Sequence, residues 1–171
     1  MASVKQRLTR SHALQAEHFT PASEEAWERA GQHWHAQILR RHFEPGAWSE
    51  YLYTARSRSY RARKQRKHGH DRPLVFSGVL ERDVLRVRDV RAKGARGSSG
   101  GRAQVVLHGP RYLYTGRAGA TGAAAGRAAN AVSLSTELAA VSERDARELA
   151  AVLERSVVEA LSSTTRSEAV T

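Results

Sequence analysis

The sequence predicts an α+β fold: a small antiparallel sheet packed by an N-terminal and a C-terminal helix, with a long basic linker and flexible loops. Three observations carry that prediction. Trp27, Ala30, Trp34 and Ile38 recur at three- and four-residue steps, as on one apolar helix face. Ala146, Leu149, Ala150, Leu153, Val157 and Leu161 do the same near the C-terminus. Between them, two stretches rich in β-branched residues flank a Gly/Ser-rich segment, the pattern of a hairpin.

In chain order, residues 1–19 carry no sustained period and read as an N-terminal arm. Residues 20–161 read as one α+β domain, and 162–171 as a polar tail. Ser23 is the expected cap of the first helix, with Glu24 and Glu25 in the first turn, where the helix dipole favours carboxylates. The helix should run to about Arg41, and Pro45–Gly46 should end it. From Tyr51 to Lys67 the apolar period fails. Arg56, Arg58, Arg61, Arg63, Lys64, Arg66 and Lys67 are seven cations with no acid between them. Such a block repels itself and reads as a linker unless a counter-charged neighbour is supplied. Pro73–Leu80 fits a short strand or a single helical turn, and period does not separate the two. Val84–Arg91 and Arg102–His108 read as half-exposed strands, joined by a flexible loop at 92–101. Tyr112–Leu113–Tyr114 is expected to begin a third extended segment. Residues 116–130 are Ala/Gly-rich and read as a second flexible loop, and Ala131–Leu138 as a returning strand. Ser142 and Asp145 resemble a capping box at the start of the closing helix.

Composition excludes several chemistries. The 171 residues contain no cysteine, which removes disulfides, thiolate metal sites and Cys nucleophiles. No apolar run approaches the roughly 20 residues of a spanning helix, and the N-terminus lacks the apolar core of a secretory signal. The expectation is a chain with no membrane partner, cytoplasmic when made. A net charge of +11 favours polyanionic partners. Arg greatly outnumbers Lys and Ala is abundant, a bias of the kind codon composition produces. Charge alone is therefore weak evidence of specific binding.

No catalytic or metal constellation stands out, and no cofactor is expected. His33 and His35, two apart on a helix, point to different faces, while His68 and His70 have no evident third ligand. All four read as surface or partly buried histidines. Ser77 lacks the nucleophile elbow, and the Gly-rich tracts at 94–101 and 116–126 lack a phosphate-loop Lys-Ser/Thr pair. Trp27 and Trp34 read as packing against the sheet. The interface or polyanion-binding candidates are Trp48, Tyr51, Arg56, Arg58, Tyr60, Arg61, Arg63, Lys64, Arg66 and Lys67. Cations there could hold phosphates while aromatics stack on bases. Alternatively the run could dock on acids of a neighbouring subunit, such as Glu81, Asp83, Glu148 or Glu154.

The order Phe43, Gly46, Trp48, Tyr51, then a basic linker, then Pro73, Leu74, Val75, Ser77, Gly78 and Leu80 resembles the tailed-phage virion-morphogenesis and tail-completion proteins. Glu137–Leu138, Val141–Ser142 and Asp145 resemble the phrase preceding that family's C-terminal helix, and Tyr112–Leu113–Tyr114 falls where it has an aromatic strand. The resemblance covers roughly residues 40–161. The insert 116–130 departs from it, replacing a compact loop-to-strand passage. What the resemblance implies is a non-enzymatic virion structural protein of the neck or tail: a head–tail joining or tail-completion subunit in a homo-oligomeric ring. Its partners would be copies of itself, neighbouring head–tail adaptor and tail proteins, and packaged DNA. It would sit in the virion, and in the host cytoplasm before assembly. The other reading of the residues is a small basic protein that binds nucleic acid without sequence preference.

Overall fold

Helical hydrogen bonding is already in place at residue 19, four residues before the expected cap, in a computed structural model that describes residues 19–75, 77–95, 100–110 and 134–168. Helix α1 runs from 19 to 41, with Trp34–Ile38 in a π-helical turn and Leu39–Arg41 returning to α. Ser23 therefore lies inside the helix. Its hydroxyl donates to the Thr20 carbonyl at 2.8 Å and accepts the Ala95 amide at 2.8 Å, so it ties down the end of a strand connection instead of capping. The remaining elements are α2 (Ala47–Glu50), α3 (Arg58–His68), α4 (Val79–Arg86), β1 (Asp89–Lys93), β2 (Arg102–Val106), α5 (Leu134–Leu138) and α6 (Glu143–Glu168). None of the described helices is long and apolar enough to cross a membrane. Residues 1–18 of the arm expected at 1–19, the segment at 112–114, the loop at 116–130 and residues 131–133 of the expected returning strand lie outside the described residues.

The chain forms two compact units, a finer division than the 20–161 stretch read from the sequence. One comprises Met1–His33, Asp89–Val106 and Arg147–Thr171. It is the expected α+β arrangement: a two-stranded antiparallel sheet with the N- and C-terminal helices packed on it. The register pairs Asp89 with Val106, Arg91 with Gln104 and Lys93 with Arg102. Small residues make the contact possible. Ala22, Ala26, Ala30 and Gly31 are buried on α1, as are Ser156 and Ala160 on α6. At Gly31 a β-carbon would sit 2.6 Å from Val90 Cγ1, so only glycine lets the helix lie this close to the strand. Trp27 covers Gly101 beside β2, as expected of a residue packed on the sheet. Leu149, Leu153, Val157 and Leu161 are half-buried, whereas Ala150 is exposed, so the closing stripe is shallower than its period suggests. Ion pairs join the two helices: Arg29 bonds Glu159 at 2.7 Å and His33 bonds Glu148 at 2.6 Å. An open apolar cleft of about 410 Å³ remains, lined by Phe19, Trp27, Leu153, Val157 and Val158 among others. The helix continues to Glu168, through residues read as tail.

The other unit comprises Trp34–Arg88 and Leu107–Ala146. Its core is Leu39, Phe43, Val75, Leu80, Val84 and Leu138, with Trp34, Leu74, Leu85, Leu107 and Leu134 packed around it. Trp34 thus joins this core, not the sheet. Two expected strands are corrected here. The stretch Val84–Arg91 is helical through Arg86, and the strand begins only at Asp89. Gly78, at φ 79°, opens α4, and Leu80 and Val84 then point inward four residues apart, a helical spacing. Likewise Leu134–Leu138 is a helix that buries Leu138. Residues 73–75 form a turn, which leaves α4 to begin at Val79. The capping box is present: the Asp145 amide donates to Ser142 Oγ at 3.2 Å, and the Ser142 amide to Asp145 Oδ2 at 3.3 Å.

Candidate polyanion-binding face

The basic run is not a linker. Arg, Lys, Gln and Ala are strong helix formers, and the run has both its caps. Ser57 Oγ accepts the Tyr60 amide at 3.3 Å, and Gly69, at φ 72°, closes the C-terminus with its amide on the Gln65 carbonyl at 2.9 Å. Arg66, Lys67 and His68 occupy the last turn, where the dipole favours cations. Helix α3 buries a polar stripe in place of an apolar one. Tyr60, Lys64 and His68 recur every four residues on its inner side, and Lys64 is 1 % exposed. The Lys64 ammonium donates to the Arg72 carbonyl. Burial lowers its pKa, opposed by the charge of Asp71.

Counter-charges arrive from outside the run, which is how seven cations fold together. Arg56 grips Glu137 with two hydrogen bonds, 3.0 and 2.6 Å, while its guanidinium lies 5.6 Å from the Trp48 ring centroid. Arg61 donates from Nε and Nη2 to Asp71 Oδ2 at 2.8 and 2.5 Å. Trp48 Nε1 holds the Asp71 backbone carbonyl at 3.3 Å. Arg72 bridges the Phe43 carbonyl at 2.9 Å and Glu81 at 2.6 Å.

The sequence-derived candidates therefore divide. Tyr51 and Lys64 are buried and Trp48 and Arg56 half-buried; they brace the face. Arg58, Arg61, Arg63, Arg66 and Lys67 are exposed and present it. Arg58, Arg63 and Arg66 pair with no acid among the described residues. Base stacking by the tyrosines is largely closed off: Tyr51 and Tyr53 are buried, and Arg63 lies 5.8 Å from the half-buried Tyr60 ring. Of the acids considered as docking partners, Glu81, Asp83 and Glu148 bond Arg72, Arg82 and His33 within the chain, whereas Glu154 is exposed. Sequence reasoning missed Asp71, Arg72 and Glu137. Asp71 was findable as the first acid after the run, but nothing local marks Glu137, eighty residues on.

The same unit holds a buried polar layer. His42 stacks on Tyr51 with centroids 3.9 Å apart and shares a hydrogen bond with the Tyr53 hydroxyl through Nδ1. Burial pushes the His42 pKa down to about 4, with Asp145 opposing. Burial also raises both tyrosines. Asp145 is fully buried, and burial works against its charge. Donors from Tyr51, Arg41 and Ser142 outweigh that and hold it below the ordinary range. Arg41 supplies the ion pair, at 2.7 Å; the Tyr51 hydroxyl lies close but closes no well-formed bond. His35, expected to be on the surface or partly buried, is 3 % exposed, with its ring against the Val84 carbonyl at 3.0 Å. Among the described residues no cluster of three or more His, Asp or Glu side chains is placed to hold a metal ion.

One residue of this unit stands out. Leu52 is 86 % exposed at φ 50°, held there between the buried Tyr51 and Tyr53. A solvent-facing aliphatic side chain at positive φ is an uncommon arrangement, kept only where the flanking structure holds it. No protein-family model matches the chain, and no curated protein or solved structure matches it.

Proposed function

We propose that this chain is a structural subunit of the neck or tail of a tailed-phage virion or phage-like particle, a head–tail joining or tail-completion protein that assembles with copies of itself. The observation that carries the reading is helix α3. Its inner side is locked by Lys64, and its outer side offers Arg58, Arg63 and Arg66 without internal acids. Charge presented from a rigid helix, with little aromatic surface for bases, suits contact with a DNA backbone irrespective of sequence. Leu52 supports protein contacts, with other copies or with adaptor and tail proteins. On this reading the chain performs no reaction.

The test is mass measurement by light scattering in low and high salt, together with duplex DNA binding. Higher-order homo-oligomers are expected. Combined Arg58→Glu, Arg63→Glu and Arg66→Glu substitution should reduce the slope of log affinity against log salt by about three. The same arginines also suit a free nucleic-acid-binding protein, which would bind DNA with that slope as a monomer. A monomer whose DNA affinity ignores the triple substitution overturns both readings.

A further inference from the structure

One strip of α3 has a geometry that Arg63 and Arg66 lack. Arg58, Arg61, Ala62 and Gln65 follow one another at i, i+3, i+4 and i+7, so they share a face, and with Asp71 they line a cleft of about 220 Å³. Ala62 leaves the floor low. Both arginines and the Gln65 amide carry donors, and Asp71 carries the only carboxylate in the cleft. We infer that this cleft is a seat for one phosphate of a nucleic-acid backbone, and that the Asp71 carboxylate occupies the phosphate's place until nucleic acid displaces it. The inference rests on the reading of α3 as a polyanion-facing helix.

Three features make Asp71 a displaceable stand-in and not a permanent partner. Arg61 places both of its hydrogen bonds on Oδ2, short of the side-by-side fork a carboxylate and guanidinium can form, and Oδ1 is buried with no partner. The pair is open to water, with side chains 56 % and 30 % exposed, so solvent and salt weaken it. Trp48 fixes the Asp71 backbone carbonyl, so the carboxylate can swing away by side-chain rotation while the chain stays in place. A phosphodiester brings two unesterified oxygens. It can accept from Arg61 and Arg58 together, which one carboxylate oxygen does not achieve here. Arg58, paired with no acid among the described residues, is the second donor awaiting it.

The experiment titrates the full chain with a six-nucleotide thymidine oligomer while following arginine Nε–Hε resonances. The Arg58 and Arg61 signals should move. Asp71→Asn should tighten binding about tenfold, and Gln65→Glu, which adds a fixed carboxylate, should weaken it about tenfold. Inorganic phosphate alone should move the same signals only at much higher concentration, which separates a backbone site from a free-phosphate site. Because Asp71 also sits near the buried Lys64, circular dichroism checks the Asp71→Asn fold; Gln65→Glu and Arg58→Gln change exposed positions and carry the test if that variant unfolds. A motionless Arg61 signal, or unchanged affinity in both Gln65→Glu and Arg58→Gln, overturns the seat. If Arg63→Glu with Arg66→Glu abolishes binding in that case, the basic-helix reading stands without the cleft. If no α3 substitution matters, both fall.

Discussion

The two units are held together by opposite means. Around the hairpin, every buried side chain among the described residues is small: Ala22, Ser23, Ala26, Ala30, Ser156 and Ala160, with Gly31 beside them. The large residues there, Trp27, Leu153 and Val157, are half-buried, and Phe19 and Val158 are exposed. In the unit that carries α3, the buried positions hold Ile38, Leu39, Phe43, Tyr51, Tyr53 and Leu138, together with His42 and Lys64. The first relies on backbones brought close; the second relies on volume and on polar groups satisfied in the dry. The lesson concerns which mutations each tolerates. Removing atoms should hurt the second unit, and adding them should hurt the first.

The largest effect is expected from truncation in the large-residue core. Phe43 is 0 % exposed at the centre of the apolar cluster, so Phe43→Ala should cost about 3–5 kcal/mol, read as a lowered urea midpoint. A loss under about 1 kcal/mol would mean that volume does not hold this unit.

Next comes the polar layer, through pH. The His42 pKa lies near 4 in the folded chain against 6.5 ordinarily, because burial disfavours the imidazolium. Below the ordinary value the unfolded chain takes up a proton that the folded chain refuses, so stability falls as pH drops from about 6.5 to about 4. Integrated over that window the loss is roughly 3 kcal/mol. His35, also lowered by burial, adds in the same direction. Asp145, held below its ordinary range, gives up its contribution only in stronger acid. Urea unfolding at pH 7 and pH 4.5 should show the decline, and His42→Gln should flatten it. A wild-type profile without slope between those values would contradict the buried, neutral imidazole.

What the sequence made legible follows the same division. The helices that frame the hairpin announced themselves by period, and the Ser142–Asp145 box by its spacing. The hairpin itself was visible, with its first strand displaced because Leu80 and Val84 sit in an alternating-looking run that is in fact helical. Helix α3 was illegible as a helix for a physical reason. Period-based reading looks for apolar residues on the inner face, and here that face is Tyr60, Lys64 and His68. Ser57 and Gly69 were the available clue. Of the partners that let the basic run fold, Asp71 stood in the sequence as the first acid after it, whereas Glu137 could be recognised only in three dimensions, and so the candidate residues were named as a group without being sorted into buried and exposed positions.

The smallest effect, and the one that most directly tests the contrast, is at Gly31. Its φ is not in the left-handed region, so alanine there is disfavoured by space and not by backbone conformation. In the middle of an exposed helix, alanine for glycine would stabilise by about 1 kcal/mol. At Gly31 the new methyl meets Val90 Cγ1 at 2.6 Å and Ala103 Cβ at 3.3 Å, so the Val90 side chain or its strand must shift. Overpacking of this kind costs about 1–3 kcal/mol, so Gly31→Ala should be net destabilising despite its better helix propensity. Pairing it with Val90→Ala removes the colliding methyl and should recover most of the loss, a coupling that a double-mutant cycle measures. If Gly31→Ala alone stabilises the protein, α1 and β1 do not approach as closely as small residues allow, and the two units are less different in construction than their buried residues imply.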